Sequence, residues 1–140
     1  MLLGTFFHSL DAKGRVFLPA KWRQELSDEV IVTRGQEKCL FVITSGRFGE
    51  IAEQMAGMSE TKKDMREYGR MFYGAASEEQ VDRQGRMNVP APLREYAGLS
   101  KEVVLVGAGK RVEIWDRGAW QQHLSQIEGQ YEEITERLEV

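Results

Sequence analysis

A ten-residue stretch that occurs twice constrains this chain more than any other feature of its sequence. Residues 11–20 read DAKGRVFLPA and residues 82–91 read DRQGRMNVPA, at an offset of 71 residues (82 − 11). An internal duplication of this kind predicts two similar halves related by a pseudo-twofold axis, each with one Asp-x-x-Gly-Arg turn. The apolar segments after each copy also correspond, in the pairs 30–32 with 103–105 and 40–43 with 112–115.

Length and composition are those of an ordinary globular chain. It has 140 residues, of which 41% are hydrophobic, and this is enough for the core of one compact unit. No apolar run approaches the roughly 20 residues that span a bilayer, and the start of the chain lacks the pattern of a secretion signal. We therefore expect a cytoplasmic protein with no membrane partner. The single cysteine, Cys39, lies in an apolar run, which predicts a buried and inert thiol.

The net charge of −3 argues against a nucleic-acid partner, because proteins of that class commonly have a basic surface. The charge is unevenly distributed, however. Residues 11–23 contain four basic side chains and one acidic side chain, whereas residues 128–140 contain five glutamates and one arginine. Positive charge therefore surrounds the first repeated motif, and negative charge collects in the C-terminal segment.

The hydrophobic pattern predicts an α+β, β-rich chain. Each half has the pattern of a strand, a turn, a second strand, a short helix and a hairpin, over residues 5–47 in the first unit and 76–119 in the second. Residues 48–75 form a connecting helical segment with an apolar stripe. Residues 120–140 form one C-terminal helix, whose apolar seam packs on another helix in this chain or in a neighbouring subunit.

The repeated turn has a structural interpretation. Its aspartate accepts hydrogen bonds from backbone amides, its glycine takes a positive φ, and its arginine pairs with the aspartate across the hairpin. The loop-orienting residues in this interpretation are Asp11, Gly14, Asp82 and Gly85.

The same turn also has a ligand-binding interpretation, which the presence of two copies favours. In it, the exposed Arg15 and Arg86 donate bidentate hydrogen bonds to guanine edges, while Lys13 and Arg83 contact phosphates. The aspartates then orient the loop. Spacing alone does not decide between the two interpretations.

Motifs that suggest an enzyme fail on inspection. Residues 107–110 (GAGK) lack the spacing of a phosphate loop, and Arg111 stands where that loop needs serine or threonine. His8 and His123 have no cysteine or histidine at metal-ligand spacing. We therefore expect no catalysis, no cofactor, no metal and no small-molecule substrate.

The segments around the two turns resemble those of a known family. Residues 11–15 and 18–21, together with 99–107 and 112–115, are characteristic of the MraZ family, and the resemblance covers essentially the whole chain. This family is built from two AbrB-like (SpoVT-AbrB) units with one Asp-x-x-x-Arg signature each. Here the signatures are Asp11 with Arg15 and Asp82 with Arg86.

The resemblance implies a fold and a function. Two tandem AbrB-like units are expected to form one pseudo-twofold β-barrel of swapped hairpins with peripheral helices, and the protein is expected to assemble into a ring-shaped homo-oligomer. The family binds tandem repeats in double-stranded DNA upstream of the cell-division and cell-wall operon, commonly as a repressor of its own promoter, which implies a nucleoid-associated location. By position, Arg15 and Arg86 are the candidates for base contacts, with Lys13 and Arg83 in support.

The second turn departs from the first, because the neutral Gln84 stands at the position that matches Lys13. The two loops therefore need not make identical contacts. Several loops that engage successive repeats raise avidity by about 10²- to 10⁴-fold, so an acidic protomer can still bind DNA. The alternative is a protein-interaction module similar to the antitoxin-like members of the AbrB group, and a long, unpaired C-terminal helix would favour it.

Overall fold

The computed structural model describes residues 1–139, which form eight strands and six helices. The strands are β1 (Leu2–Ser9), β2 (Arg15–Phe17), β3 (Glu29–Arg34), β4 (Leu40–Thr44), β5 (Ser77–Gln80), β6 (Arg86–Asn88), β7 (Glu102–Gly109) and β8 (Val112–Asp116). The helices are α1 (Ala20–Leu26), α2 (Ser45–Ala56), α3 (Lys63–Ala75), α4 (Ala91–Tyr96), α5 (Arg117–Glu128) and α6 (Tyr131–Leu138). The predicted α+β class is confirmed.

The two halves of the chain exchange strands. A six-stranded antiparallel sheet has the order β1-β7-β8-β4-β3-β5, and β2 pairs with β6 in a separate two-stranded ribbon. In the large sheet, β1 from the first half pairs with β7 from the second, and β5 from the second half pairs with β3 from the first. Each half therefore has its outer strand supplied by the other half.

The strand register locates the pseudo-twofold axis. In the ribbon, Val16 lies opposite Met87, its equivalent at an offset of 71 (87 − 16). In the large sheet, Phe41 lies opposite Glu113, its equivalent at an offset of 72 (113 − 41). Equivalent residues face each other only on a twofold axis, so the axis passes through both pairs.

The expected closed barrel is not confirmed. Strands β1 and β5 are the two opposite edges of the large sheet and do not pair with each other. Each of them instead leads through an Asp-x-x-Gly-Arg turn into the ribbon, and the ribbon packs on one face of the sheet through apolar side chains. The enclosure on that face is therefore made by side-chain packing between two sheets rather than by one continuous ring of hydrogen-bonded strands.

The large sheet has an apolar cluster on each face. The ribbon, α1 and α4 cover one face, where Trp22 is 1% exposed. Helices α2, α3 and α5 cover the other, where Cys39 and Trp115 are buried. Burial raises the pKa of Cys39 to about 12, so the thiol is protonated at neutral pH and is a weak nucleophile. The predicted burial of this cysteine is confirmed.

The prediction of one C-terminal helix over 120–140 is wrong. Within the described residues, the segment forms two helices, α5 and α6, which are separated at Gly129 and Gln130. Glycine has low helix propensity, and here it stands at the C-cap of α5. The predicted apolar seam is thereby divided, and α6 has no buried residue. Val140, the last residue of the predicted helix, lies outside the described residues.

Candidate nucleic-acid interface

The first repeated turn is organised by the side chain of Asp11. Its Oδ1 accepts hydrogen bonds from the backbone amides of Lys13 and Arg15, each at 2.9 Å. Its Oδ2 accepts from Nε of Arg15 at 2.7 Å. One carboxylate therefore fixes both the backbone of the turn and the direction of the arginine.

The second turn repeats this geometry around Asp82. Oδ1 accepts from the backbone amides of Gln84 and Arg86 at 2.9 Å, and Oδ2 accepts from Nε of Arg86 at 2.8 Å. Because the bonds to Oδ1 use backbone amides, they do not depend on whether a lysine or a glutamine stands at the third position. This is why two turns with different tips have the same shape.

The same hydrogen bonds lower the pKa of both aspartates from the ordinary value of 3.8. The largest cause is the backbone amide of Arg15 for Asp11 and that of Arg86 for Asp82, while partial desolvation of each carboxylate acts in the opposite direction and is outweighed. Both aspartates are therefore ionised at neutral pH. Since their folded-state pKa is lowered, the stabilisation that they provide is present above about pH 4 and is lost as the pH falls through that lowered value.

The turns lie at opposite ends of the β2–β6 ribbon, and both arginines point to its outer face. The register pairs Arg15 with Asn88 and Arg86 with Phe17. These four side chains lie on the outer face, whereas Val16 and Met87 face the core. Two guanidinium groups are thus held on one antiparallel ribbon at positions related by the twofold axis.

The arginines are less exposed than predicted. The side chains of Arg15 and Arg86 are 28% and 25% exposed, because each is paired with its aspartate. Only Nε takes part in that pair, and within residues 1–139 the Nη groups donate no hydrogen bond. Those Nη groups therefore remain able to donate to a ligand. Lys13 and Arg83 are exposed at the turn tips.

Two further arginines lie at this site and were not predicted from the sequence, Arg23 in α1 and Arg94 in α4. A Cβ placed on Gly14 would lie 2.0 Å from Nη1 of Arg94, and a Cβ on Gly85 would lie 2.1 Å from Cζ of Arg23. Each short helix therefore places an arginine against the turn of the other half. The two are 71 residues apart (94 − 23), so the repeat offset was the signal that could have found them.

Comparison with known proteins assigns the chain to a protein family. A family model described as "MraZ protein, putative antitoxin-like" matches it twice, over residues 1–71 and 71–139. The chain belongs to the MraZ family. "Transcriptional regulator MraZ" of Kocuria rhizophila is 46% identical over 138 residues, which cover 99% of this chain and 96% of that protein. The proteins of the same name from Micrococcus luteus and Salinispora tropica are each 46% identical over 136 residues, with 97% of this chain and 95% or 96% of theirs covered.

A solved structure also aligns with the chain. It is the solution structure of PHS018 from Pyrococcus horikoshii, with a TM-score of 0.33, 16% identity, and coverage of 81% of this chain and 88% of that chain. This likeness is too low to support an inference about MraZ folds. Within residues 1–139, no helix is long and apolar enough to cross a membrane, and no three His, Cys, Asp or Glu side chains are grouped as a metal site would require.

Gly14→Ala tests the geometry of the first MraZ turn. Gly14 has φ +81°, where an L-residue is strained by about 1–2 kcal/mol, and the new methyl group also displaces Arg94. We expect the free energy of unfolding, measured with urea, to fall by about that amount. The matched control is Gly49→Ala in α2, where a Cβ meets nothing within 4 Å and alanine stabilises a helix by about 0.5–1 kcal/mol. Equal effects of both substitutions would contradict a strained turn.

Proposed function

We propose that this chain is a transcriptional regulator that binds double-stranded DNA in a sequence-specific manner. The observation that supports the proposal best is the pair of aspartate-held arginines on the outer face of one antiparallel ribbon. The aspartates accept hydrogen bonds from Nε of Arg15 and Arg86, and within residues 1–139 the Nη groups donate to no protein acceptor. The relatives named as transcriptional regulators support the same function.

The chemistry of the ribbon suits a DNA groove. A two-stranded β-ribbon fits the major groove of B-DNA, where guanine presents the O6 and N7 acceptors that an arginine fork matches. Arg15 and Arg86 read guanine edges in this proposal, and Lys13 and Arg83 contact the phosphates on either side. Arg23 and Arg94 add positive charge against the glycines of the two turns.

Self-association overcomes the weakness of a single contact. One acidic protomer with a net charge of −3 has little long-range attraction for DNA. In a ring-shaped homo-oligomer, neighbouring ribbons meet successive tandem repeats, and avidity increases by about 10²- to 10⁴-fold. The proposed target is the repeat array in the promoter of the division and cell-wall operon, which the protein represses as part of its own operon. This function requires no catalysis and no cofactor, and it places the protein in the cytoplasm at the nucleoid.

The proposal is tested by a fluorescence-polarisation titration. Labelled duplexes that contain the upstream tandem repeats, and scrambled duplexes of equal length, are titrated with the protein at two salt concentrations. We expect tighter binding to the repeats at both concentrations, since base contacts discriminate sequence while phosphate contacts do not. Equal affinity for the two duplexes would overturn the proposal.

The phosphate contacts have their own test in the variant Lys13→Ala with Arg83→Ala. Both duplexes should bind more weakly by the same factor, and the slope of log affinity against log salt should become shallower by about 0.9 for each phosphate that the variant no longer neutralises. Gln84→Ala is the matched control, because this neutral residue stands where the first turn has Lys13. A changed preference between the duplexes would assign Lys13 and Arg83 to base recognition instead.

A second candidate function is protein interaction through the C-terminal helix, in the manner of an antitoxin. The observation that favours it is the exposure of α6, where Tyr131 is 73% and Leu138 is 66% exposed. If this is the principal function, Arg15→Ala with Arg86→Ala leaves regulation of a promoter reporter unchanged. Loss of regulation in that variant identifies the ribbon as the functional site.

A further inference from the structure

One apolar surface on the outer part of the large sheet is left uncovered. It lies on β1 and β7, on the face that also carries α5. Leu3 and Phe7 of β1 are 58% and 55% exposed, and Val106 of β7 is half-buried beside them. Large apolar side chains grouped on an exposed strand pair commonly mark an interaction site.

The equivalent surface in the first half is covered. Strand register shows which residues of the two halves correspond. Phe7 and Glu78 are equivalent, because they are 71 residues apart (78 − 7). Phe7 pairs with Val104 and Glu78 pairs with Ile31, so Ile31 corresponds to Val104. Thr33, two residues beyond Ile31, therefore corresponds to Val106. Helix α3 covers Thr33 completely, and the Thr33 hydroxyl donates a hydrogen bond of 2.6 Å to the carbonyl of Phe72 in α3.

Helix α6 has the apolar pattern of α3 but has nothing to cover. The stripe of α3 includes Met65, Tyr68 and Phe72, and that of α6 includes Tyr131, Ile134 and Leu138, with spacings of three and four residues in both. Phe72 is 3% exposed, whereas α6 has no buried residue. In the first half, α3 covers the surface around Thr33. In the second half, the corresponding surface around Val106 is uncovered, and the corresponding helix, α6, has no partner among the described residues.

The uncovered surface and α6 do not meet within one chain. Residues 57–62 separate α2 from α3 and allow α3 to return over the sheet, whereas only Gly129 and Gln130 separate α5 from α6. Gly129 has φ −71° and ψ −9°, and Gln130 has φ −104° and ψ 2°. Gly129 lies in the right-handed helical region, the two residues are too few for a return over the sheet like that of α3, and α6 buries none of its residues.

Charge also favours this contact. Four glutamates lie in and directly after α6, whereas the uncovered surface is bordered by Arg117 and Lys110. The Arg117 guanidinium lies 5.2 Å from the ring centroid of Phe7. Among residues 1–139, neither Arg117 nor Lys110 forms an ion pair with a carboxylate, as the six ion pairs there involve other groups. The glutamates concerned are Glu132, Glu133, Glu136 and Glu139.

We propose that α6 of one copy of this chain docks on the β1–β7 surface of a second copy. Tyr131, Ile134 and Leu138 cover Leu3, Phe7 and Val106 in the role that α3 has within the first half. Because the donor helix and the acceptor surface are different parts of the chain, the contact is head-to-tail, and its repetition builds a ring or an open filament. The inference rests on the self-association in the proposed function and names the surfaces that form it.

A mixing experiment with two variants of the full chain tests the contact. The helix variant carries Ile134→Glu with Leu138→Glu, and the surface variant carries Leu3→Glu with Phe7→Glu. By sedimentation velocity, wild type should be an assembly, and each variant alone should sediment as a 16.0 kDa monomer. An equimolar mixture should form particles of about twice that mass and no larger, because each pair retains one intact helix and one intact surface.

The control adds the same charge elsewhere, at two exposed positions in or near α2, as Gln54→Glu with Ser59→Glu. It should assemble as wild type does. The inference is overturned if wild type is a monomer, if either variant alone still assembles, or if the mixture stays monomeric. These outcomes include the case in which α6 binds a different protein instead of a second copy of this chain. Circular dichroism confirms that each variant is folded.

Binding to a duplex with a single repeat separates this inference from the proposed function. The contact lies away from the ribbon, so both assembly variants should keep the preference of wild type for the repeat over a scrambled sequence. If the preference is present and the mixing result fails, only the α6 contact is wrong. If the mixing result holds and wild type shows no preference, only DNA recognition is wrong.

Discussion

Replacing Trp115 by alanine is expected to lower the free energy of unfolding by about 3 to 5 kcal/mol, the range for a large aromatic residue removed from a core. Trp115 is 5% exposed and belongs to the apolar cluster beneath α2, α3 and α5. Its ring lies 5.3 Å from that of Trp120 and is stacked at 4.8 Å on His123. Its indole Nε1 donates to Glu113 at 3.1 Å. The substitution thus leaves a cavity and removes a hydrogen-bond donor at one position.

Urea unfolding followed by far-ultraviolet circular dichroism measures this decrease. Met58→Ala is the matched control, because Met58 is 55% exposed and an exposed side chain of this kind changes stability by no more than about 0.5 kcal/mol. A decrease below about 1 kcal/mol for Trp115→Ala would contradict the packing of α5 on β8. Trp115 lies on the helix-covered face of β8 together with Glu113, whereas Val112 and Ile114 lie on the face that the ribbon covers, so its burial depends on α5.

The local chemistry of the site could be predicted from the sequence because it depends on residues close together in the chain. An aspartate four residues before an arginine, with a glycine between them, is enough to specify the turn around Asp11 or Asp82. The hydrogen bonds at both turns follow that expectation. The duplication likewise predicted two equivalent halves, and the register through Val16 and Met87 agrees with the predicted pseudo-twofold axis.

Features that depend on long-range pairing could not be predicted in this way. Whether β1 and β5 meet at their edges depends on how the sheet twists and on where the ribbon packs, and no short sequence pattern records either. The role of Arg23 and Arg94 depends on strand exchange, because each lies on the turn of the opposite half. The division of the C-terminal seam at Gly129 was missed for a different reason: spacings of three and four residues continue across a helix break.

The variant Arg15→Ala with Arg86→Ala should lose its preference for repeat DNA while it remains folded. A bidentate arginine–guanine pair provides about 1–3 kcal/mol of discrimination, and in the proposed function the variant removes two such pairs from every protomer. Binding to the tandem repeats should therefore fall to the level of a scrambled duplex in the fluorescence-polarisation titration. Stability should change little, since a partly exposed ion pair contributes about 0–1 kcal/mol.

Arg47→Ala is the matched control, because Arg47 is also ion-paired, with Glu50, and its side chain is 26% exposed on α2. It should match the ribbon variant in stability and match wild type in DNA preference.

Arg15→Lys with Arg86→Lys then separates charge from geometry: lysine keeps the positive charge but cannot form the planar fork. If the lysine variant retains affinity in low salt but not preference, Arg15 and Arg86 read bases. If it retains preference, their contribution is positive charge near phosphates, and sequence is read by other groups on the ribbon, of which Asn88 and Phe17 are the nearest.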